Sequence, residues 1–366
     1  MIVAAAVMEQ PSSPLVVTDV ELDEPRRDEV LVRVQASGIC RSDLSYMEGK
    51  WPAPLPIVLG HEGAGVIESV GEGVPESRVG EHVVLTFAPP CGRCRFCLEG
   101  RANLCLDAAA CMDAGTMRDG TTRLHRGAER VHHLALVSSF ADHAVVPASG
   151  AIPVTERLEP GLACLLGCGV TTGVMSVTRR ANVRPGEAVA VFGCGGVGLA
   201  AILGARLVSA EPLIAVDPLP PKREMALAMG ATHAVDPAAG DPAEQVRAIV
   251  PGGVDCALEA IGVPAVADQA VRSVRDGGTT VLIGQPAMGV KAGFDVYDVT
   301  QFEHTILGSN LGGANPALHV PGLARLAATG TLDLGPLVTH RMPLGRINEA
   351  VEVTASGAGG RVVIEL

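Results

Sequence analysis

The sequence predicts an α/β protein in which a doubly wound parallel sheet is joined to a second, β-rich, barrel-like domain. Three observations carry this. At 366 residues the chain exceeds what one ordinary core accommodates. Up to about residue 150 it reads as short strands with glycine-rich turns and no long helical period. From Thr171 onward, apolar strand patterns alternate with helical ones, the signature of crossover connections.

The elements follow in order. Residues 29–36 alternate apolar and charged side chains (Val30, Leu31, Val32, Arg33, Val34) and run into Gly38, which predicts a strand entering a polar loop. Residues 65–70 and 82–86 read likewise, with turn signals at Gly71, Gly73 and Gly80. Strands at 188–192, 213–216, 254–258 and 280–283 alternate with helices at 197–208, 222–229 and 263–274. A helix at 319–328 and a strand at 361–366 close the chain, too little for a third domain.

Composition restricts the function classes. With 28 basic and 40 acidic residues the net charge is −12, which argues against nucleic acid or an anionic membrane as partner. Two uncharged stretches, 161–178 and 188–205, are broken by glycines, so neither predicts a membrane span. Residues 1–14 lack a basic start and an extended apolar run, which predicts no secretory leader. Ten cysteines, several in ligand spacing, fit a reducing compartment, and a cytoplasmic location is expected.

The most informative run is Cys91-Gly-Arg-Cys94-Arg-Phe-Cys97, followed after seven residues by Cys105. Thiols at that spacing converge on one point and close a tetrahedron, which predicts a structural Zn²⁺ with no open position. A second, dispersed set of ligand-type residues comprises Cys40, His61, Glu62 and Cys168. Cys111, Cys164, Cys194 and Cys256 read as small core residues.

The glycines Gly193, Gly195, Gly196 and Gly198 follow an apolar strand and open a helix with Val197. There they permit a tight turn and close approach of a pyrophosphate to the helix amides. Asp217 ends the next strand about 20 residues on, where a carboxylate bonds the adenosine ribose hydroxyls, with Lys222 in support. A carboxylate there repels a 2′-phosphate, so the expected cofactor is NAD.

In combination these motifs resemble the zinc-dependent medium-chain alcohol dehydrogenases, in the branch similar to liver-type and glutathione-dependent formaldehyde dehydrogenases. The resemblance also takes in Gly38-Ile-Cys40-Arg-Ser42-Asp43, Gly60-His61-Glu62, Gly115-Thr-Met-Arg-Asp-Gly120, Leu166-Gly-Cys168 and Gly308 to Gly313, in family order. It implies a GroES-like catalytic domain (1–169 and 311–366) split around a Rossmann NAD-binding domain (170–310), with the active site in the cleft between them.

Carried over by position, the resemblance implies a catalytic Zn²⁺ held by Cys40, His61 and Cys168, with a fourth position open to water or substrate. Glu62 then assists ligand exchange and Asp43 orients His61. Ser42 takes the alcohol proton. Relatives commonly end this relay in a histidine three residues on, where this chain has Ser45, so the proton exit is expected to run through Ser45 and water. Arg41 and Arg361 correspond to pyrophosphate-binding arginines, and Thr172 and Val197 to residues that press on the nicotinamide. Trp51, Phe87, Leu134, Ala135 and Asn310 correspond to the substrate wall.

The leading expectation is therefore an NAD-dependent dehydrogenase of medium or bulky primary alcohols and aldehydes. Alternatives are a thiol-dependent formaldehyde dehydrogenase, although the chain shows no convincing basic cluster for a glutathione carboxylate and offers only Arg118 and Arg123 to something acidic, and an enzyme that keeps NAD bound and passes electrons to an external acceptor. A non-catalytic dinucleotide-binding relative is disfavoured by the complete ligand and relay set. The resemblance also implies a homodimer formed through residues 284–305.

Overall fold

The computed structural model describes residues 1–155, 158–357 and 359–366. The chain divides into two compact units, Met1–Cys168 with Ala314–Leu366, and Gly169–Gly313.

The first unit contains strands β1 (Ile2–Met8), β2 (Val16–Leu22), β3 (Glu29–Ile39), β4 (Ile57–Val58), β5 (Glu62–Val70), β6 (His82–Leu85), β7 (Leu124–Arg126), β8 (Glu129–His133), β9 (His143–Pro147) and β10 (Ala151–Pro153). Among them run the short helices α1 (Arg41–Met47), α2 (Arg95–Leu98), α3 (Leu106–Ala114) and α4 (Pro160–Ala163). The second unit holds helices α5 (Gly169–Met175), α6 (Gly196–Leu207), α7 (Pro220–Ala228), α8 (Pro242–Ile249), α9 (Pro264–Ser273) and α10 (Val296–Gln301). Its strands are β11 (Val189–Phe192), β12 (Leu213–Val216), β13 (His233–Val235), β14 (Val254–Glu259), β15 (Val274–Leu282) and β16 (Thr305–Gly308). The chain then returns to the first unit with α11 (Pro316–Ala328), β17 (Val338–Pro343), α12 (Ile347–Ser356) and β18 (Arg361–Glu365).

Strands β1, β2, β7, β8 and β4 close a small barrel. Val7, Met8, Leu22, Ile57, Leu59 and Phe140, each nearly inaccessible, fill its core. A second sheet runs β10-β6-β5-β3-β18-β17, with β9 also paired to β3. The barrel-like expectation holds, although α1 and α3 went unseen in the sequence. Each is shorter than the length at which a helical period stands out, and α1 is set by a local device: the Cys40 amide donates to Asp43 Oδ2 at 3.0 Å.

The second unit is a parallel sheet in the order β13-β12-β11-β14-β15-β16. The strand order turns between β11 and β14, so loops at the carboxyl ends of those strands flank the crevice where such sheets bind ligands. Among the described residues no single helix is long and apolar enough to cross a membrane, and the 161–178 stretch falls into separate short, mostly buried helices.

Candidate active site

In the first unit β3 ends at Ile39 and the chain enters α1 through Cys40, so one turn presents Cys40, Ser42 and Asp43. His61 and Glu62 stand at the start of β5, antiparallel to β3 with Gly38 opposite Glu62. Cys168 ends the short helical segment after α4. These elements bring one ligand atom each from Cys40, His61, Glu62 and Cys168 within 4.8 Å of one another, all buried.

Asp43 is inaccessible, and its carboxylate holds the site's backbone. Oδ2 accepts from the Cys40 amide, while Oδ1 accepts from the Gly60 amide at 3.1 Å and lies 3.2 Å from His61 Nδ1. With Nδ1 turned to Asp43, Nε2 is the ring atom left for a metal. Burial opposes charge on His61, but Asp43 and the Cys40 thiol outweigh it and hold the imidazole well above its ordinary value. Cys40 is held well below the usual thiol range, chiefly by its bond to Cys168, whose own thiol is pushed well up by that contact and by burial. Two close thiols and an imidazole thus share protons in a buried space, and a divalent cation would take the place of those protons, so the donor set fits zinc.

Glu62 is also buried, and burial pushes its carboxyl up to about 7 against the pull of Arg361, with which it forms an ion pair. That pair gives Arg361 a second task beside the expected one: one amino group of the guanidinium is engaged by Glu62, while Nε is buried without a partner among the described residues. Arg41 is exposed and paired with Glu48 at 2.9 Å. Ser42 Oγ lies 3.6 Å from Cys40 Sγ. Ser45 departs from expectation. It is 4 % exposed and its hydroxyl donates to the Arg41 carbonyl at 3.2 Å, so its proton is spent inside α1 rather than offered to solvent.

Of the expected substrate wall, Phe87 stands edge-on to His61 with ring centroids 5.9 Å apart, and Trp51 packs edge-on to Tyr46 at 5.4 Å. Leu134 and Ala135 are each 2 % exposed within the barrel core, because the turn after β8 folds them inward. Asn310 is exposed in the second unit, beyond β16. Arg123 is fully buried, gripped by both oxygens of Glu29 and by Asp119, and Arg118 bonds the Pro89 carbonyl near Asp107. Neither arginine offers a free contact to an acidic substrate.

Cys91, Cys94, Cys97 and Cys105 converge in the same unit. Amides point at the sulfurs, Cys94 N to Cys91 Sγ at 3.3 Å and Cys91 N to Cys105 Sγ at 3.4 Å. Backbone amides of Cys97 and Leu106 lower Cys94 to about 6, whereas burial raises Cys97 to about 12. A loop that solvates thiolates with amides is preset for a metal with four sulfur ligands.

In the second unit, Gly193 adopts φ +92°, and a Cβ at Gly198 would strike the Gly193 carbonyl, so the chain itself demands both glycines. A Cβ at Gly195 would meet nothing within 4 Å. Its absence is instead what a ligand lying on the amino end of α6 requires, so the loop fits a dinucleotide. Thr172 is buried on α5, and Val197 is half-buried in the first turn of α6. Asp217 has both oxygens engaged, Oδ2 by the Cys194 amide at 2.8 Å and Oδ1 by the Leu219 amide at 2.9 Å. Sequence reasoning weighed ligand binding against a helix cap and missed the anchor on Cys194. Lys222 is buried at the start of α7.

Comparison with known proteins agrees with this geometry. Residues 26–156 match the alcohol dehydrogenase GroES-like domain and residues 196–328 the zinc-binding dehydrogenase family. The chain is 37 % identical, over 98 % of both sequences, to an S-(hydroxymethyl)glutathione dehydrogenase of Synechocystis sp.. This chain belongs to the zinc-dependent medium-chain alcohol dehydrogenases. Among solved structures of that family, an alcohol dehydrogenase zinc-binding domain protein of Burkholderia ambifaria superposes with a TM-score of 0.96 at 38 % identity, covering 100 % of this chain and 99 % of that one. The benzyl alcohol dehydrogenase of Acinetobacter calcoaceticus gives 0.95 at 34 % identity over the same shares. As a member of this family the chain is a zinc-dependent oxidoreductase with a closed four-cysteine site and a separate Cys40, His61, Cys168 site.

Proposed function

We propose that the chain oxidises medium or bulky primary alcohols, or reduces the matching aldehydes, with NAD as hydride partner. The observation that carries this reading is a hydroxyl, Ser42, set 3.6 Å from a buried Cys40 that clusters with His61 and Cys168. When bound, zinc supplies Lewis acidity toward the substrate oxygen and NAD accepts the hydride. The chain's own residues do the rest. Asp43 fixes His61 in one tautomer, half-buried Ser42 takes the substrate proton as it passes its own hydroxyl proton to water, and Phe87 supports the His61 ring while presenting an apolar surface to substrate. Asp217, at the end of β12, favours NAD over a 2′-phosphorylated cofactor.

Purified protein assayed on linear, allylic and aromatic alcohols with NAD, with and without added thiols, tests the reading. Turnover without thiol supports it. A strict thiol requirement would replace it by action on S-hydroxymethyl thiol adducts, the second reading, which the name of the Synechocystis relative favours and the engagement of Arg118 and Arg123 disfavours. We also propose a homodimer through residues 284–305 and β16, because β16 ends the sheet and Val296 and Tyr297 beside it are 73 % and 68 % exposed. Light scattering that reports a monomer at micromolar concentration would refute it.

A further inference from the structure

Glu259 has no part in the expected cofactor or zinc sites, yet it is a carboxylate 1 % exposed at the carboxyl end of β14. In register it lies between Phe192 on β11 and Leu282 on β15, beside the turn in strand order. Among the described residues no cationic partner holds it. Instead Oε1 accepts the Ile261 amide at 2.9 Å and the Gly262 amide at 2.7 Å. Helix α9 begins just beyond, at Pro264, so the amides Glu259 holds belong to the loop that leads into it.

The loop so held is wedged between two others. A Cβ on Gly193 would come within 2.4 Å of Ile261 Cγ1, and a Cβ on Gly284 would overlap the Gly262 amide nitrogen at 2.0 Å. Gly262 itself has φ +84° and would meet the Gln285 backbone if it carried a side chain. The loops after β14 and β15 therefore pack backbone to backbone through glycine, and the loop after β11 lays Gly193 on the Ile261 side chain. Ile261 remains 42 % exposed while lying against Gly193. On the far side the same glycine loop is held by Asp217 through the Cys194 amide.

We infer that Glu259 is a positioning residue for the dinucleotide loop: by capturing the Ile261 and Gly262 amides it sets Ile261 against Gly193 and fixes the amides of residues 193–196 for the cofactor. The inference rests on the cofactor reading above. Without Glu259 the middle loop loses two charge-assisted bonds, Ile261 withdraws, and the glycine loop keeps its Asp217 anchor and the Gly193 amide bond to the Val216 carbonyl but loses the support on its other side.

The test compares Glu259→Ala, Glu259→Gln and Ile261→Ala with the parent in the full-length, zinc-loaded protein. Expected results are a weakening of NADH binding by roughly tenfold or more in Glu259→Ala, read by NADH fluorescence, and a loss that falls on KM for NAD more than on kcat. Faster amide exchange at residues 193–196 is expected without cofactor. Glu259→Gln, which keeps an oxygen toward the same amides, should recover most of the affinity. Ile261→Ala, which disturbs no buried charge, should weaken NADH in the same direction. Parental NADH affinity in Glu259→Ala and Ile261→Ala, or unchanged exchange at 193–196, would overturn the inference. A parent that binds no NADH would instead overturn the cofactor reading, and the exchange measurement would still decide the role of Glu259.

Discussion

Replacing Asp43 by Asn tests whether the second-layer carboxylate, rather than the ligands alone, makes the Cys40, His61, Cys168 site. Three donors point at this inaccessible carboxylate: the amides of Cys40 and Gly60, and the His61 ring. Asn keeps the shape but has one acceptor oxygen, and its amino group must face at least one of those donors. Leaving one buried donor unpaired costs about 1–3 kcal/mol, equal to a factor of roughly 5 to 150 in an equilibrium. Because these donors fix Cys40 and His61, the cost falls on metal affinity, and it agrees with the roughly 10- to 100-fold expected for losing an outer partner of a metal-bound histidine. The assay is competition with a chromophoric chelator, following the two zinc equivalents separately. The zinc held by Cys91, Cys94, Cys97 and Cys105 should keep its parental affinity, and the other should leave at correspondingly lower chelator concentration. Two equivalents of parental affinity in Asp43→Asn would refute the reasoning, since a carboxylate that did not orient His61 could be replaced without loss.

Four further outcomes are expected. Cys94→Ser should destabilise the fold, whereas Cys168→Ser should abolish turnover with a milder loss of stability; urea unfolding alongside zinc analysis checks both, and one zinc or none in a fully active parent would contradict them. Ser42→Ala should lower alcohol oxidation by roughly 10²-fold or more with NADH binding retained, while Ser45→Ala, which removes only a bond back to Arg41, should change the rate little; steady-state kinetics at saturating NAD read the contrast. The parent should prefer NAD over NADP by roughly tenfold or more, and because Asp217 also anchors Cys194, Asp217→Gly should weaken both cofactors rather than merely relax the choice, as binding titrations would show. Burial, with Arg123 nearby, lowers His133 from 6.5 to about 3. Since its folded value lies below its unfolded one, the unfolded chain takes up the proton first. The stability that neutral His133 preserves is present above pH 6.5 and is lost as pH falls toward 3, with a slope of up to about 1.4 kcal/mol per pH unit that His133→Gln should reduce in denaturant melts.

Much of the site was legible because its chemistry is carried by residue type at short spacing. Four cysteines within 15 positions converge whatever surrounds them, and a glycine loop between an apolar strand and a helix can be read within one crossover unit. The parallel sheet was legible for the same reason: its strands are continuous apolar runs between helical periods. Short helices such as α1 and α3 were not, because seven or nine residues with mixed polarity leave no period to detect.

By itself the sequence determined the two ligand sets, the dinucleotide loop and the alternation that builds a parallel sheet, since each depends on neighbours along the chain. The tertiary structure alone decided which charges meet. Arg361 reaches Glu62 across 299 positions because β18 pairs with β3 and β3 with β5. Arg123 is spent on Glu29 across 94. A buried charge must find its counterpart or its amides wherever the sheets bring them, and sheet pairing is set by long-range packing that no local pattern encodes.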